Sequence, residues 1–124
     1  MSTVLAEPIN LGDVLLYEEE NFYYSRDEIT IAAPEVIAIG QVLGQIIESG
    51  EYAALDFTAT DGTENAAAIA VRNINAALSA VETVGITRHA IVKADGLVWP
   101  VEMTTQEHEL AIAQLKANGI LVRR

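Results

Sequence analysis

Residues 50–71 read GEYAALDFTATDGTENAAAIAV. Two short apolar runs, EYAALDF and AAAIAVRN, flank the polar segment TATDGTEN. Runs of this length, bounded by Gly, Asp and Asn, predict strands. Asp61-Gly62 is a reverse-turn pair, because Gly accepts positive φ without steric cost and Asp bonds its own backbone. The stretch therefore predicts two strands joined as a hairpin, with Glu51, Asp56, Asp61 and Glu64 solvated around its turn. A calcium loop of the EF-hand type needs oxygen ligands at alternate positions, a mid-loop Gly, a terminal Glu and flanking helices. Here Asp56 and Asp61 are five residues apart, Gly62 follows directly, and both flanks read as strands. The spacing favours a turn over a metal loop.

Upstream, the pattern becomes strand-like from Phe22. In YYSRDEITIA, Ile29 and Ile31 alternate with Glu28 and Thr30, the period of a half-buried strand. Pro34 interrupts, and VIAIGQVLGQII follows with Gly40 and Gly44 inside an apolar run. Glycine in such a run predicts a bulge, a bend or a close backbone approach. Residues 1–14 form an arm broken by Pro8 and Gly12, with no helical period, so a single domain is expected over 15–124.

Downstream, residues 75–82 fit either a short helix or a loop. Residues 84–93 predict one strand, with Val84, Ile86, Ala90 and Val92 on one face and Arg88 as the exception. Asp95-Gly96 predicts its closing turn. Thr104 and Glu107 have capping-box spacing, QEHELAIAQLKAN follows, and Gly119 suits the C′ position, so this is the clearest helix. Ala111, Ile112 and Leu115 share a face, and ILVRR predicts a final strand. The fold class expected is α+β, mostly short strands and bends with one clear C-terminal helix.

The chain of 124 residues is one domain long, and 51% of it is hydrophobic. Its charge of −11 is uneven. Residues 1–64 hold thirteen acids against Arg26, giving −12, and residues 65–124 hold five acids and six bases, giving +1. An acidic half of this kind repels phosphate backbones and anionic membranes, so neither nucleic acid nor membrane is expected as partner. Cysteine is absent, which removes disulfides, thiolate metal sites and cysteine nucleophiles. No run reaches the roughly 20 apolar residues of a membrane span. The N-terminus lacks the basic and long apolar regions of a signal peptide, so synthesis in the cytoplasm is expected.

Catalytic constellations are hard to assemble from these residues. Glu18-Glu19-Glu20 reads as a solvated charge run. His89 is expected in a strand opposite its apolar face, and His108 in the first turn of the helix, without any HExxH spacing. No serine sits in a G-x-S-x-G elbow, and no Lys-Ser/Thr completes a phosphate loop. What remains are contact features. Trp99 and Pro100, in LVWPVEM, offer an interface anchor or a cap on the core, and their peptide bond is of a kind that tolerates cis. Val4, Leu5, Ile9 and Leu11 give the arm enough apolar surface to dock but too little to fold alone.

Taken in order, YSRDEITI, GQVLG, GEYAALDFTATDGTENAAAIAV, TRHAIVKADGLVWP and the closing helix with GILV resemble the lambda-type head decoration proteins of tailed phages. The resemblance covers roughly residues 13–124. It implies a β-clip-like fold of bent β-ribbons, no cofactor and no catalytic residue. It implies a homotrimer on the outer face of the expanded capsid, at three-fold and quasi-three-fold positions, bound to the major capsid protein and holding the shell against packaged DNA. The virion is the location implied. The N-terminal segment, Met1 to about Val14 here, is implied to order on the shell. Two rival classes stay open from the residues alone. One is a small ligand- or metal-binding β-domain or hydrolase using Asp56, Asp61 and His89. The other is an acidic mimic that blocks a nucleic-acid-binding enzyme.

Overall fold

A computed structural model describes residues 15–18 and 25–123. The strands are β1 (Leu15–Glu18), β2 (Arg26–Ile31), β3 (Glu35–Ile37), β4 (Val42–Gln45), β5 (Tyr52–Ala54), β6 (Ala68–Ala70), β7 (Ile74–Ala76), β8 (Val81–Ile86), β9 (Ala90–Lys93) and β10 (Ile120–Arg123), and the helix is α1 (Thr105–Ala117). The fold is α+β, mostly strands with one C-terminal helix, as the sequence predicts. Five strands close into a barrel in the order β2-β5-β4-β6-β8, β3 and β7 form a two-stranded ribbon, and β1-β9-β10 form a small sheet.

The barrel wall is covered on both faces along β4 and β6, which is why those strands read as continuous apolar runs, whereas β2 keeps the alternation of a half-buried strand. Inside lie Ile29, Ile31, Leu43, Ala68 and Ala70, joined by Ile37, Ile74 and Ala76 of the ribbon. Outside lie Val42, Ile69 and Ile86, which pack with Ala90, Val92, Ala111, Leu115 and Ile120 of the sheet and helix. Neighbouring residues on one strand thus serve different clusters: Leu43 faces in and Val42 faces out, Ala68 faces in and Ile69 faces out. Each fully buried Ile, Leu or Val contributes about 1.5–3 kcal/mol. Five strands enclose less room than eight, so alanine fills positions where a longer side chain would collide.

The stretch 50–71 does not form the hairpin its turn residues predict. β4 lies between β5 and β6, pairing Leu43 with Ala54 on one side and with Ala68 on the other. Residues 55–67 instead leave the barrel, pass over β4 and return beyond it. The reason is Gly44, whose missing side chain lets the loop rest on the strand: a Cβ there would lie 2.5 Å from Thr63 Cα. The loop then bonds to the strand and its extension, Leu55 N to Val42 O at 3.1 Å, Ala67 N to Leu43 O at 2.8 Å, and Ile47 N to Asp61 O at 2.9 Å. Gly62 takes its expected positive φ, 112°. On the other face Gln114 of α1 holds the loop, accepting from Ala66 N and donating to Asn65 Oδ1, each at 2.8 Å.

Residues 84–93 are likewise two strands rather than one. β8 ends at Ile86 in the barrel, and β9 begins at Ala90 in the other sheet, with His89 turned through φ 52° between them. His89 is therefore in an exposed turn, not in a strand as expected. Thr87 N and Arg88 N both donate to Ser25 O, at 2.9 and 3.3 Å. Arg88, the misfit in the apolar alternation, forks onto Asp27, with Nη2 to Oδ2 at 2.5 Å and Nη1 to Oδ1 at 3.3 Å. The ambiguous stretch 75–82 resolves into the end of β7, a bend, and the start of β8.

The C-terminal signals behave as read. Thr104 and Glu107 form the reciprocal capping box, with Glu107 N donating to Thr104 Oγ1 at 3.1 Å and Thr104 N to Glu107 Oε1 at 3.0 Å. Gly119 ends α1 at φ 84°, lying so close over His89 that a Cβ would meet its Cδ2 at 2.8 Å. β10 runs parallel to β9, so α1 is the crossover that parallel strands require. Among the described residues the cis peptide bond is Ala33–Pro34, and Trp99–Pro100 is trans.

Two outcomes follow from this packing. Gly44→Ala places a methyl against loop backbone that cannot rotate away, and a melt should show a loss of about 2 kcal/mol or more. An unchanged melting temperature would refute the close approach. For Asp27, the hydrogen bond from Arg88 is the largest cause holding its carboxyl below the ordinary 3.8, with Thr87 adding to it against partial desolvation. A depressed folded-state value gives stability that is complete above 3.8 and is lost as pH falls through that lower value. With side chains 35% and 43% exposed, the pair is screened and worth at most about 1 kcal/mol. Asp27→Asn should lower the melting temperature by at most about 4 °C at neutral pH, and the difference should shrink as pH falls through the lowered value and wild-type Asp27 takes up its proton. A difference persisting at low pH would show that the charge is not its source.

Candidate interaction surface

The carboxylates of the 55–67 loop are occupied by the loop itself. Asp56 Oδ1 accepts from Thr58 N at 3.0 Å and from Thr58 Oγ1 at 2.6 Å. Asp61 Oδ1 repeats the motif with Thr63 N at 3.1 Å and Thr63 Oγ1 at 2.6 Å. Glu64 Oε1 takes the Gly62 N–H at 2.8 Å. The hydroxyl of Thr58 is the largest cause lowering the Asp56 carboxyl, and that of Thr63 does the same for Asp61. Low carboxyl values suit loop-shaping acceptors and are wrong for a general acid or base near neutral pH. His89 belongs to a different place, a shallow hollow lined also by Asp27, Tyr52, Arg88 and Lys116. Among the described residues no three His, Asp or Glu side chains are grouped to hold a metal ion. The hydrolase or metal-domain alternative therefore lacks the convergence of Asp56, Asp61 and His89 that it requires.

Trp99 and Pro100 are both half-buried. The indole packs on the outer core cluster and meets the His108 ring edge-on, 4.7 Å between centroids at 84°. The first turn of α1 thus pins the segment before it, a contact the sequence does not announce. His108 Nε2 is shielded from solvent and has no hydrogen-bond partner among the described residues. Beyond this anchor the chain turns outward, and Val101 is 100% exposed. The segment is tied to the barrel at its start, where Val98 N donates to Gly40 O at 2.9 Å and Val98 O accepts from Val42 N at 3.1 Å. Val4, Leu5, Ile9 and Leu11 lie outside the described residues.

Among the described residues, four further large apolar side chains face solvent: Val36 at 69%, Ile47 at 79%, Leu78 at 99% and Leu110 at 53%. Sequence reasoning missed Val36 and Leu78. Val36 sits in an apolar run that looks wholly buried, yet its strand has only one covered face. Leu78 lies in the stretch whose structure was ambiguous. Together with Val101 they give a strongly acidic protein several uncharged contact points. These are spread over its surface rather than gathered in a cleft, which suits contact with macromolecules better than capture of a small substrate. No helix among the described residues is long and apolar enough to cross a membrane.

Comparison with known proteins agrees with this geometry. The sequence profile of the family described as Bacteriophage lambda head decoration protein D matches residues 4–120. Curated proteins taken individually give no match. The matched region starts before β1 and takes in the whole barrel, the ribbon and α1, ending at the first residue of β10. The chain belongs to the family of the bacteriophage lambda head decoration protein D.

Proposed function

We propose that this protein is a structural component of a phage head, bound as a homotrimer to the outer surface of the expanded capsid at three-fold and quasi-three-fold sites. The observation that carries this reading is the family match over residues 4–120. The physics of the chain is consistent with it. A plug that must stay dispersed until it meets its shell benefits from a charge of −11, which makes free particles repel. A domain of 15–124 with a filled core supplies a rigid body, and an arm of residues 1–14 supplies reach. Laid along a strand of the major capsid protein, the arm would add backbone hydrogen bonds. Three arms on one trimer act multivalently, so each contact can be weak.

Stabilisation then follows from linkage. A trimer that binds only the expanded shell favours it by about 2.7 kcal/mol per site when free ligand exceeds the dissociation constant a hundredfold. Repeated over a lattice of sites, this resists the pressure of packaged DNA. No step in the process transforms a substrate.

Expanded empty heads mixed with the purified protein and pelleted should carry it to a plateau, and decorated heads should survive a heat challenge that opens bare ones. Deletion of residues 2–14 should reduce occupancy at least tenfold while leaving the oligomer in solution intact. Unchanged occupancy of the truncated protein would overturn the role of the arm. Absence of the full-length protein from the pellet would overturn the reading as a whole.

A further inference from the structure

We propose that the β3–β7 ribbon, with Val36 and Leu78, lines the three-fold axis of the trimer, where identical surfaces of three copies meet. This rests on the trimeric reading above and specifies which face makes the self-contact. The constraint is electrostatic. At a three-fold axis every charge faces two copies of itself, and each copy of this chain carries −11. Like charges in contact cost several kcal/mol, so the axis must be lined by a surface with apolar side chains and no carboxylate.

Among the large apolar side chains exposed in the described residues, Val36 and Leu78 meet that condition. Ile47 is followed by Glu48, and Asp61 O accepts its N–H. Val101 is followed by Glu102, and Leu110 is preceded by Glu109. These acids are all exposed. Residues 36–47 and 73–81, by contrast, contain no charged side chain. The one acid beside Val36 is Glu35, and it turns into the fold, where its Oε1 accepts Ala54 N at 3.1 Å. Val36, Ala38, Gln41, Asn73 and Asn75 line a shallow hollow without a charged residue. Its two asparagines are already engaged through their oxygens, Asn73 Oδ1 by Ile39 N at 2.9 Å and Asn75 Oδ1 by Ala77 N at 3.0 Å. Leu78 lies in the bend that follows β7, at 99% exposure, and nothing among the described residues packs on it to account for a leucine there. A second and third copy supply that packing.

Sedimentation equilibrium of Leu78→Glu tests this, because a side chain 99% exposed can be changed without disturbing the fold. The substitution would bring three carboxylates together, and the association midpoint should shift to at least hundredfold higher concentration, with the melting curve of the dissociated chain intact. Val36→Glu should act in the same direction, whereas Val101→Glu and Leu110→Glu should leave the trimer unchanged. Leu78→Cys, in a chain with no other cysteine, should give interchain disulfides under mild oxidation. A Leu78→Glu protein that stays trimeric overturns the assignment, and if it also loses its hold on heads, the ribbon faces the shell instead. A wild-type chain that stays monomeric at high concentration removes the trimeric reading itself, a result distinct from either.

Discussion

Everything in this molecule is arranged around the narrowness of a five-stranded barrel. Few strands enclose little space, so Ala68 and Ala70 stand where larger barrels place bulky residues, and Ile29, Ile31 and Leu43 complete the filling. The small interior cannot supply a sufficient core by itself. The wall therefore has to be apolar on its outer side as well, and Val42, Ile69 and Ile86 must be covered by something. The β9–α1–β10 unit covers part of that wall, and the 55–67 loop, held to α1 through Gln114, covers more. A close approach of loop to strand needs Gly44, and the β2–β8 wall leaves no room for a Cβ at Gly85, which would meet Ile29 Cδ1 at 2.7 Å.

This arrangement leaves the interior to packing and the exterior to function. The ionisable groups that look catalytic in the sequence are structural acceptors once the chain is folded. Asp56 and Asp61 stitch their own loop, and Asp27 locks Arg88 across the break between β8 and β9. Among the described residues, large apolar side chains are left uncovered on β3, after β4 and β7, before α1 and on the solvent side of α1.

Much of this was legible in the sequence where the cause is local. The capping box at Thr104 and Glu107, the positive φ at Gly62 and Gly119, and the alternation through Ile29 and Ile31 depend on residues a few positions apart, and all appear as read. The hairpin over residues 50–71 failed because strand order is not local. β4 inserts between β5 and β6, and the signal for it was Gly44, whose partner Thr63 is far along the chain. The break at residues 87–89 was hinted at by Arg88, since a charge on an apolar face asks for a partner, but Asp27 lies about sixty residues away. The sequence marks Trp99 as an anchor or a cap, whereas its contact with His108 depends on where the helix packs. Val36 and Leu78 were invisible for the same reason, as exposure is a property of what fails to cover a residue.

The central claim is that a filled, rigid barrel works by bridging neighbours on a shell. A cryo-electron microscopy map of expanded heads saturated with the protein tests it most directly. The account predicts three-lobed density on the outer face at the three-fold positions, with the barrel unaltered inside each lobe and the N-terminal residues running onto the shell. Isolated single-copy density away from those axes, or a barrel opened around a bound small molecule, would contradict it.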